Sequence, residues 1–170
     1  TNAGRDYTVK VDATGLSAGR AYYYRFRASG VTSPVGRTRT AAEGTTARVR
    51  FAVCTCSNYA AGYFHAYRAI AALDDLDAVI HLGDYLYEYG PDQFGNLRAP
   101  EPAREILTLA DYRERHAQYK RDADSQAMHR QHPLIAIWDD HEIANDAWVG
   151  GAQNHTEGAA GPSPERVAPG

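Results

Sequence analysis

Three short apolar runs, each followed at once by polar side chains, dominate the pattern of the chain. They cover residues 49–53, 78–82 and 134–138. Continuous apolar runs of this length are typical of buried strands in a parallel sheet. A helical pattern at 60–73 lies between the first two runs, and helical patterns at 109–121 and 125–131 precede the third. The pattern therefore predicts an α/β unit with a right-handed βαβ crossover and mutually parallel strands.

The first 40 residues follow a different pattern, the alternation of half-buried antiparallel strands. It predicts strands at 7–11, 21–28 and 35–40. Gly15 and Leu16 followed by Tyr22 resemble the tyrosine corner of immunoglobulin-like and fibronectin type III sandwiches. Such a sandwich needs about seven strands, and only these three are visible. We expect the C-terminal part of a β-sandwich here, with a structural role.

Composition and charge narrow the classes of protein. A length of 170 residues predicts one domain, or one and part of another. The net charge of -3 provides no basic patch for nucleic acid. No apolar run approaches the roughly 20 residues that span a bilayer. No signal peptide stands at the start, and Thr1 looks like a cut into an existing domain. Oligomeric state and compartment stay open at this point.

Metal-competent side chains follow each of the three predicted strands. They are Cys56 after the first strand, Asp84 and Tyr87 after the second, and Asp140 and His141 after the third. Because ligands gather beyond the carboxyl ends of parallel strands, we expect these groups to lie together. A carboxylate and a phenolate are hard oxygen donors for a highly charged metal ion. The alternative for Asp84 is an ordinary turn aspartate among packing tyrosines.

Neighbouring polar residues have plainer interpretations. A disulfide between Cys54 and Cys56 would be strained, so at least one of them is expected to be a thiolate ligand or a buried thiol. Cys54 precedes the end of the strand, and we take it as the buried thiol. His81 lies inside a strand and is expected to be a hydrogen-bonded core residue. Glu88 and Asp139 either orient metal ligands or only contact water. The remaining helix and loop histidines are expected to be solvated: His65, His116, His129 and His132.

Four stretches carry a resemblance to a known family: residues 56–59, 81–89, 109–113 and 138–142. Gly-Asp-x-x-Tyr followed later by Trp-Asp-Asp-His-Glu resembles the PhoD-like alkaline phosphatases and phosphodiesterases. That family belongs to the calcineurin-like and purple-acid-phosphatase metallophosphoesterases. The resemblance covers residues 48–155, and the combination in this order is specific. It implies a partial metallophosphoesterase α/β sandwich that hydrolyses phosphate monoesters or diesters.

The resemblance also implies roles for individual residues at a site holding Fe³⁺ and Ca²⁺. Asp84 resembles the bridging carboxylate, and Cys56 and Tyr87 resemble ligands of the iron. Asp140 takes the place of a ligand of the second metal, and His141 resembles the catalytic histidine beside the phosphate. The wider superfamily's Asp-x-His motif is replaced here by the loop of Cys56.

The same resemblance implies a fragment. Histidine and aspartate ligands that the superfamily supplies from later strands do not follow in this sequence, so we expect an incomplete metal site and an inactive chain. The expected division is a sandwich remnant at 1–42 and the N-terminal half of the phosphatase domain at 43–170, in a secreted or periplasmic protein. Two alternatives are a phosphodiesterase or phospholipase D-type enzyme with the same metals, and a non-catalytic extracellular binding module.

Overall fold

The N-terminal region forms two small antiparallel sheets in the computed structural model, which describes residues 1–148 and 151–152. In one sheet β1 (Ala21–Tyr24) pairs with β4 (Gly36–Arg39). In the other, β2 (Arg27–Ala28) pairs with β3 (Val31–Thr32). These strands lie within the predicted ranges 21–28 and 35–40, except for β3, which the pattern did not predict. The alternating pattern therefore predicted β1, β2 and β4 but not the short hairpin that β2 forms with β3.

The strand predicted at residues 7–11 is wrong. The structure has a short 3₁₀ helix at Ala3–Arg5 and no regular element from residue 7 to residue 20. Val9 and Val11 are 58% and 69% exposed. Alternation stabilises a strand only where a partner strand and a buried face exist, and this segment has neither. The predicted tyrosine corner does have its hydrogen bond, because Ser17 N donates to the Tyr22 hydroxyl over 2.7 Å.

A three-stranded parallel sheet forms the second region. Its strands are β5 (Phe51–Cys54), β6 (Ala78–His81) and β7 (Leu134–Ala136), with β6 in the middle. Val53 lies opposite Ile80, and Ile80 lies opposite Ile135. The predicted parallel arrangement and the α/β fold class are therefore confirmed.

Three helices accompany the sheet: α1 (His65–Ala71), α2 (Leu109–Arg121) and α3 (Ala123–Gln131). The bounds of α2 match the prediction, and Thr108 and Asp111 form a capping box at its start. Helix α1 begins five residues later than predicted. The side chain of Asn58 accepts from Ala60 N at 2.9 Å and from Ala61 N at 3.2 Å, which holds residues 58–61 in a turn.

Only one face of the sheet is covered among the described residues. The core contains Phe64 and Tyr67 from the α1 segment, Val79 from β6, and Tyr119 and Met128 from α2 and α3. On the opposite face Phe51, Val53, Ile135 and Ile137 are exposed. The sheet is thus half of a sandwich over the part of the chain described here. Within that part, no helix is long and apolar enough to cross a bilayer.

Candidate metal centre

The carboxyl ends of all three parallel strands meet at one edge, and polar loops follow each of them. The loop after β5 is bound to the loop after β6 through Cys56 N, which donates to Gly83 O over 3.3 Å, and Ser57 N, which donates to Asp84 O over 2.8 Å. A short 3₁₀ helix, Asp140–Glu142, follows β7 at the same edge. The edge therefore assembles side chains that are far apart in sequence.

All five residues selected from the sequence lie in this cluster. Asp84, Asp140 and His141 each offer a ligand atom, and these atoms lie within 4.8 Å of one another. Asp84 Oδ2 lies 3.1 Å from the Tyr87 hydroxyl and 3.4 Å from Cys56 Sγ. Asp84 is at the centre of the group, since it contacts the ligand candidates from its own loop and from the loop after β5.

The backbone at Asp84 is unusual, and the neighbouring glycine permits it. Gly83 has φ +100° and Asp84 has φ +53°, a region that L residues other than Asn and Asp rarely adopt. A Cβ atom at Gly83 would lie 2.4 Å from Asp139 N. Only glycine therefore allows the β6 and β7 loops to approach so closely.

The electrostatics of the cluster favour a cation. Burial, the negative charge of Asp84 and the neighbouring Cys56 all raise the pKa of Tyr87 well above its ordinary value. Asp84 Oδ1 is buried and has no hydrogen-bond partner among the described residues. Buried polar atoms are rarely left unpaired. A carboxylate, a phenol and a thiol that crowd one another, with an orphaned oxygen between them, fit a metal ion.

His141 is held by Glu88, which the sequence suggested only as a possible orienting group. The buried Glu88 carboxylate accepts from His141 Nδ1 at 2.7 Å and from Asn145 N at 2.7 Å. Burial lowers the pKa of His141, but the hydrogen bond and charge of Glu88, together with Asp84 and Asp140, outweigh it and raise that pKa. With Nδ1 engaged, Nε2 is the ring nitrogen that can act in the cluster.

Glu142 is a residue whose importance the sequence analysis missed. Its carboxylate accepts from three amides: Asp84 N at 3.0 Å, Asp139 N at 2.6 Å, and Tyr85 N. It therefore ties the β6 loop to the β7 loop and fixes the position of Asp84. A signal was present, because Asp139 and Glu142 have the spacing of a capping box, which they form.

Arg115 was also missed. This α2 side chain is 2% exposed, and its guanidinium donates to five carbonyl oxygens: Tyr87, Tyr89, Glu101, Pro102 and Arg104. It holds the segment that carries Tyr87 against α2. The sequence does not indicate this role, because every residue has a backbone carbonyl and the residue types do not show which carbonyls accept from Arg115.

The structure agrees with the structural roles expected for His81 and Cys54. His81 is fully buried, its Nδ1 accepts from Gly83 N at 3.3 Å, and its Nε2 lies 3.0 Å from Ser57 Oγ and 2.9 Å from the Tyr67 hydroxyl. Burial raises the pKa of the Cys54 thiol to about 11, as expected for an inert buried cysteine. Cys56, by contrast, is exposed and has left the strand, with φ +59°.

Two of the histidines that we expected to be solvated are buried or half-buried. His132 is 2% exposed, and its Nε2 lies 3.0 Å from Ile70 O. His129 is half-buried and lies 2.8 Å from the Tyr85 hydroxyl. The prediction is wrong for these two, because polar residues near helix ends pack where a tertiary neighbour supplies a hydrogen bond.

Comparison with known proteins gives a consistent result. The family model of the PhoD-like phosphatases matches residues 51–169, and the model of the N-terminal domain of PhoD-like phosphatases matches residues 1–42. Alkaline phosphatase D of Bacillus subtilis (strain 168) is 45% identical over 146 residues, which are 82% of this chain and 25% of that protein.

A solved structure, described as the structure of PhoD, matches with a TM-score of 0.79 and 43% identity. The match covers 89% of this chain and 29% of that one. The chain thus spans about a quarter of the length of its curated relative. The resemblance inferred from the motifs is confirmed, and the chain belongs to the PhoD-like phosphatase family.

Proposed function

We propose that this chain contributes part of the active site of a metal-dependent phosphoesterase with alkaline phosphatase activity. The observation that supports it is the convergence of Asp84, Asp140 and His141 at one sheet edge, with Cys56 and Tyr87 in contact with Asp84. Phosphate-ester hydrolysis is among the slowest uncatalysed reactions. It therefore requires a site that concentrates positive charge and positions a nucleophile.

The resemblance to the PhoD-like family suggests which residue would hold which metal. Cys56 and Tyr87 would hold Fe³⁺, Asp140 would hold Ca²⁺, which prefers oxygen donors, and Asp84 would contribute its carboxylate to both. Such a metal pair, when bound, supplies a strong nucleophile and stabilises the charge of the phosphoryl group. His141, oriented by Glu88 through Nδ1, can deliver a proton to the leaving oxygen from Nε2.

A second candidate is a phosphodiesterase, including phospholipase D-type activity, with the same metals. The described residues form the metal cluster at the sheet edge, and they do not distinguish a phosphate monoester substrate from a diester. A non-catalytic binding module is the alternative from another class. The supporting groups around the cluster weigh against it, because buried Glu88 and the triple acceptor Glu142 fix residues that a binding module would not need fixed.

Substitution of Asp84 by asparagine tests the metal site. We expect Asp84→Asn to abolish tight metal binding, because it removes the charge at the centre of the cluster. Asp92→Asn is a matched control, since Asp92 also has a positive φ of +60° but is exposed and outside the cluster. Isothermal titration with Fe³⁺ and Ca²⁺ measures the effect. Unchanged binding in Asp84→Asn would reject the proposed bridging role.

The identity of the iron ligand has an optical test. A phenolate bound to Fe³⁺ gives a ligand-to-metal charge-transfer band, so the iron-loaded protein should be coloured. We expect Tyr87→Phe to lose that band while Tyr89→Phe, two residues away, retains it. A colourless protein that contains only zinc and hydrolyses phosphate esters would contradict the iron assignment.

Activity itself is tested with an aromatic phosphate monoester and a diester. Because the described residues supply few ligands for two metals, we expect the 170 residues alone to be inactive, and a chain extended to the length of its relatives to be active. Turnover of the 170-residue chain at the rate of the longer protein would show that these ligands suffice. The relative rates on the two substrates then decide between monoesterase and diesterase.

Two further proposals concern organisation. We infer a division into an N-terminal sandwich unit at 1–42 and the first half of a phosphatase domain at 43–170, supported by the change from antiparallel to parallel pairing. Limited proteolysis should cut first between them, in the exposed residues 41–50. Export to the periplasm or cell exterior follows from the resemblance and is tested by fractionation of cells that express the native gene.

A further inference from the structure

A cavity lies between the N-terminal sheet and the helices, and none of the proposed metal ligands lines it. Its volume is about 300 Å³, within the usual range for small-molecule sites. Its lining includes Tyr24 and Pro34 from the N-terminal region, Lys120 from α2, and His129 and Arg130 from α3. None of the described lining residues is acidic.

The ammonium group of Lys120 is held in a fixed position at this cavity. Its Nζ donates to the Tyr85 hydroxyl over 2.7 Å and lies 3.1 Å from His129 Nε2. It also lies 4.3 Å from the centroid of the Tyr85 ring, within the range of a cation–π contact. An ammonium group has three N–H bonds, so one remains for another acceptor.

The contacts of His129 Nε2 indicate that this imidazole is neutral. Nε2 of His129 faces both Lys120 Nζ and the Tyr85 hydroxyl. Since a lysine ammonium can only donate, Nε2 must accept. Partial burial and the charge of Lys120 lower the pKa of His129 to about 4. The local positive charge therefore resides on Lys120 and not on the His129 imidazole.

No carboxylate neutralises this cation in the part of the chain described here. Within residues 1–148 and 151–152, no Asp or Glu oxygen lies within ion-pair distance of Lys120. The acidic groups at the α2–α3 junction have other partners, because Asp122 binds Arg98 at 2.6 Å and Asp124 binds Arg68 at 2.9 Å. Lys120 as a residue is exposed, but partial desolvation of its ammonium end lowers its pKa to about 8.

The N-terminal region contributes aromatic and apolar lining to the cavity. The Tyr24 ring lies directly over Gly36, where an added Cβ would come within 2.3 Å of the ring. Tyr24 is 42% exposed, so its ring retains an open surface. Pro34 adds to this lining. A lining that combines basic residues from the helices with an aromatic residue from the N-terminal region suits an amphiphilic anion.

We propose that this cavity binds a small organic anion, with its carboxylate or phosphate group on Lys120 and its apolar body against Tyr24. The anion supplies the acceptor for the third N–H of Lys120, and Arg130 on the cavity lining adds positive charge. This site is separate from the metal cluster and does not depend on metal binding.

Chemical labelling tests the proposal, because the sequence contains only two lysines, Lys10 and Lys120. Metal-free protein is acetylated with traces of acetic anhydride, with and without phenylacetate, and each lysine is quantified by mass spectrometry. We expect phenylacetate to slow acetylation of Lys120 several-fold and to leave the exposed Lys10 unchanged. Equal rates at Lys120 with and without phenylacetate would overturn the proposal.

Three further probes define the ligand. Phenylacetamide has the same shape without the charge and should not protect Lys120, so equal protection by the amide would refute an anion site. Phenylphosphonate replaces the carboxylate, and the stronger of the two protectors identifies the preferred head group. Acetate lacks the ring and should bind Tyr24→Ala as well as the parent, whereas phenylacetate should bind Tyr24→Ala more weakly.

Calorimetry on variants provides an independent check. We expect the Kd of phenylacetate to rise about tenfold or more in Lys120→Met, since a charge-assisted hydrogen bond is lost. Lys10→Met is the matched control and should leave the Kd unchanged. An unaltered Kd in a folded Lys120→Met protein would reject the site, and the labelling experiment on the parent protein needs no variant to fold.

Discussion

Two regions of this molecule differ both in burial and in secondary structure. The region with regular strands is largely exposed, and the region without helix or strand contains many buried residues. Residues 1–42 contain four strands, yet only Gly36 is buried there. The segment 83–108 contains no helix or strand, yet Asp84, Leu86 and Glu88 are among its many buried residues. Regular secondary structure therefore does not decide which region is ordered by packing.

The difference lies in where each region's backbone groups find partners. In the N-terminal region they pair with one another in two-stranded ladders, and the side chains remain in solvent. In segment 83–108 they pair with side chains from elsewhere, mainly the buried Arg115 and Asp111 and the partly buried Glu142. Two-stranded sheets are marginal without a second layer, whereas a buried charged group bonded to backbone fixes an irregular segment firmly.

The largest expected effect comes from removing the guanidinium that holds the irregular segment. Arg115→Met should cost about 3–5 kcal/mol, because five carbonyl oxygens lose their charged donor. Arg113→Met is the matched control on the same helix. Its guanidinium donates to Gly4 O in the exposed N-terminal region, at 2.7 Å, and its removal should cost about 0.5 kcal/mol or less. Urea denaturation measures both, and equal losses would break the contrast between the regions.

The second effect concerns the carboxylate that connects this segment to the β7 loop. Glu88→Gln should lower stability by about 1–3 kcal/mol and weaken metal binding, because the carboxylate accepts from both His141 Nδ1 and Asn145 N, and glutamine has only one acceptor oxygen for these two donors. Glu43→Gln, in the exposed residues after the N-terminal region, is the control and should change neither quantity. Metal titration and denaturation together check it, and a stable Glu88→Gln protein with normal metal affinity would contradict the orienting role.

Acid should affect the two regions differently, because residues 1–42 contain no histidine. The pKa of His129 is lowered by burial and by Lys120 to about 4, so the folded protein holds it neutral while the unfolded chain protonates it below about 6.5. Its contribution to stability is present above pH 6.5 and is lost as the pH falls toward about 4.

We expect this loss to be about 1–2 kcal/mol, after allowance for the solvent that reaches His129. Denaturation midpoints between neutral pH and pH 4 measure it. His129→Gln keeps an acceptor and should show a shallower decline with acid. If both proteins lose stability equally over this range, His129 is not the acid-sensitive group.

The smallest expected effect lies in the N-terminal region. Tyr22→Phe removes the hydroxyl that accepts from Ser17 N and should cost about 0.5–1 kcal/mol, because the bond is exposed to solvent. Amide hydrogen exchange at Ser17 should become faster, with no change in segment 83–108. Unchanged or slower exchange at Ser17 would show that the hydroxyl does not protect this amide, whereas a loss of stability above that of Glu88→Gln would show that the corner contributes more than its exposure suggests.

The sequence predicted the parallel sheet because apolar runs with polar ends are a local pattern. Residues 78–82 contain β6, and residues 134–138 contain β7. It also selected Asp84, Tyr87 and Asp140, because their residue types and positions after strands are local features, and the structure places them at one edge of the sheet. It failed at residues 7–11, where the same alternation finds no partner strand.

What the sequence determined by itself was the set of elements, the family, and the edge of the sheet at which the metal-competent side chains gather. Tertiary structure alone decided which of these side chains touch, and which groups hold them. Arg115 binds carbonyl oxygens, which every residue possesses, and Lys120 meets Tyr85 and His129 from separate elements. Contacts of this kind depend on three-dimensional distance and burial, and neither quantity is a property of residue order.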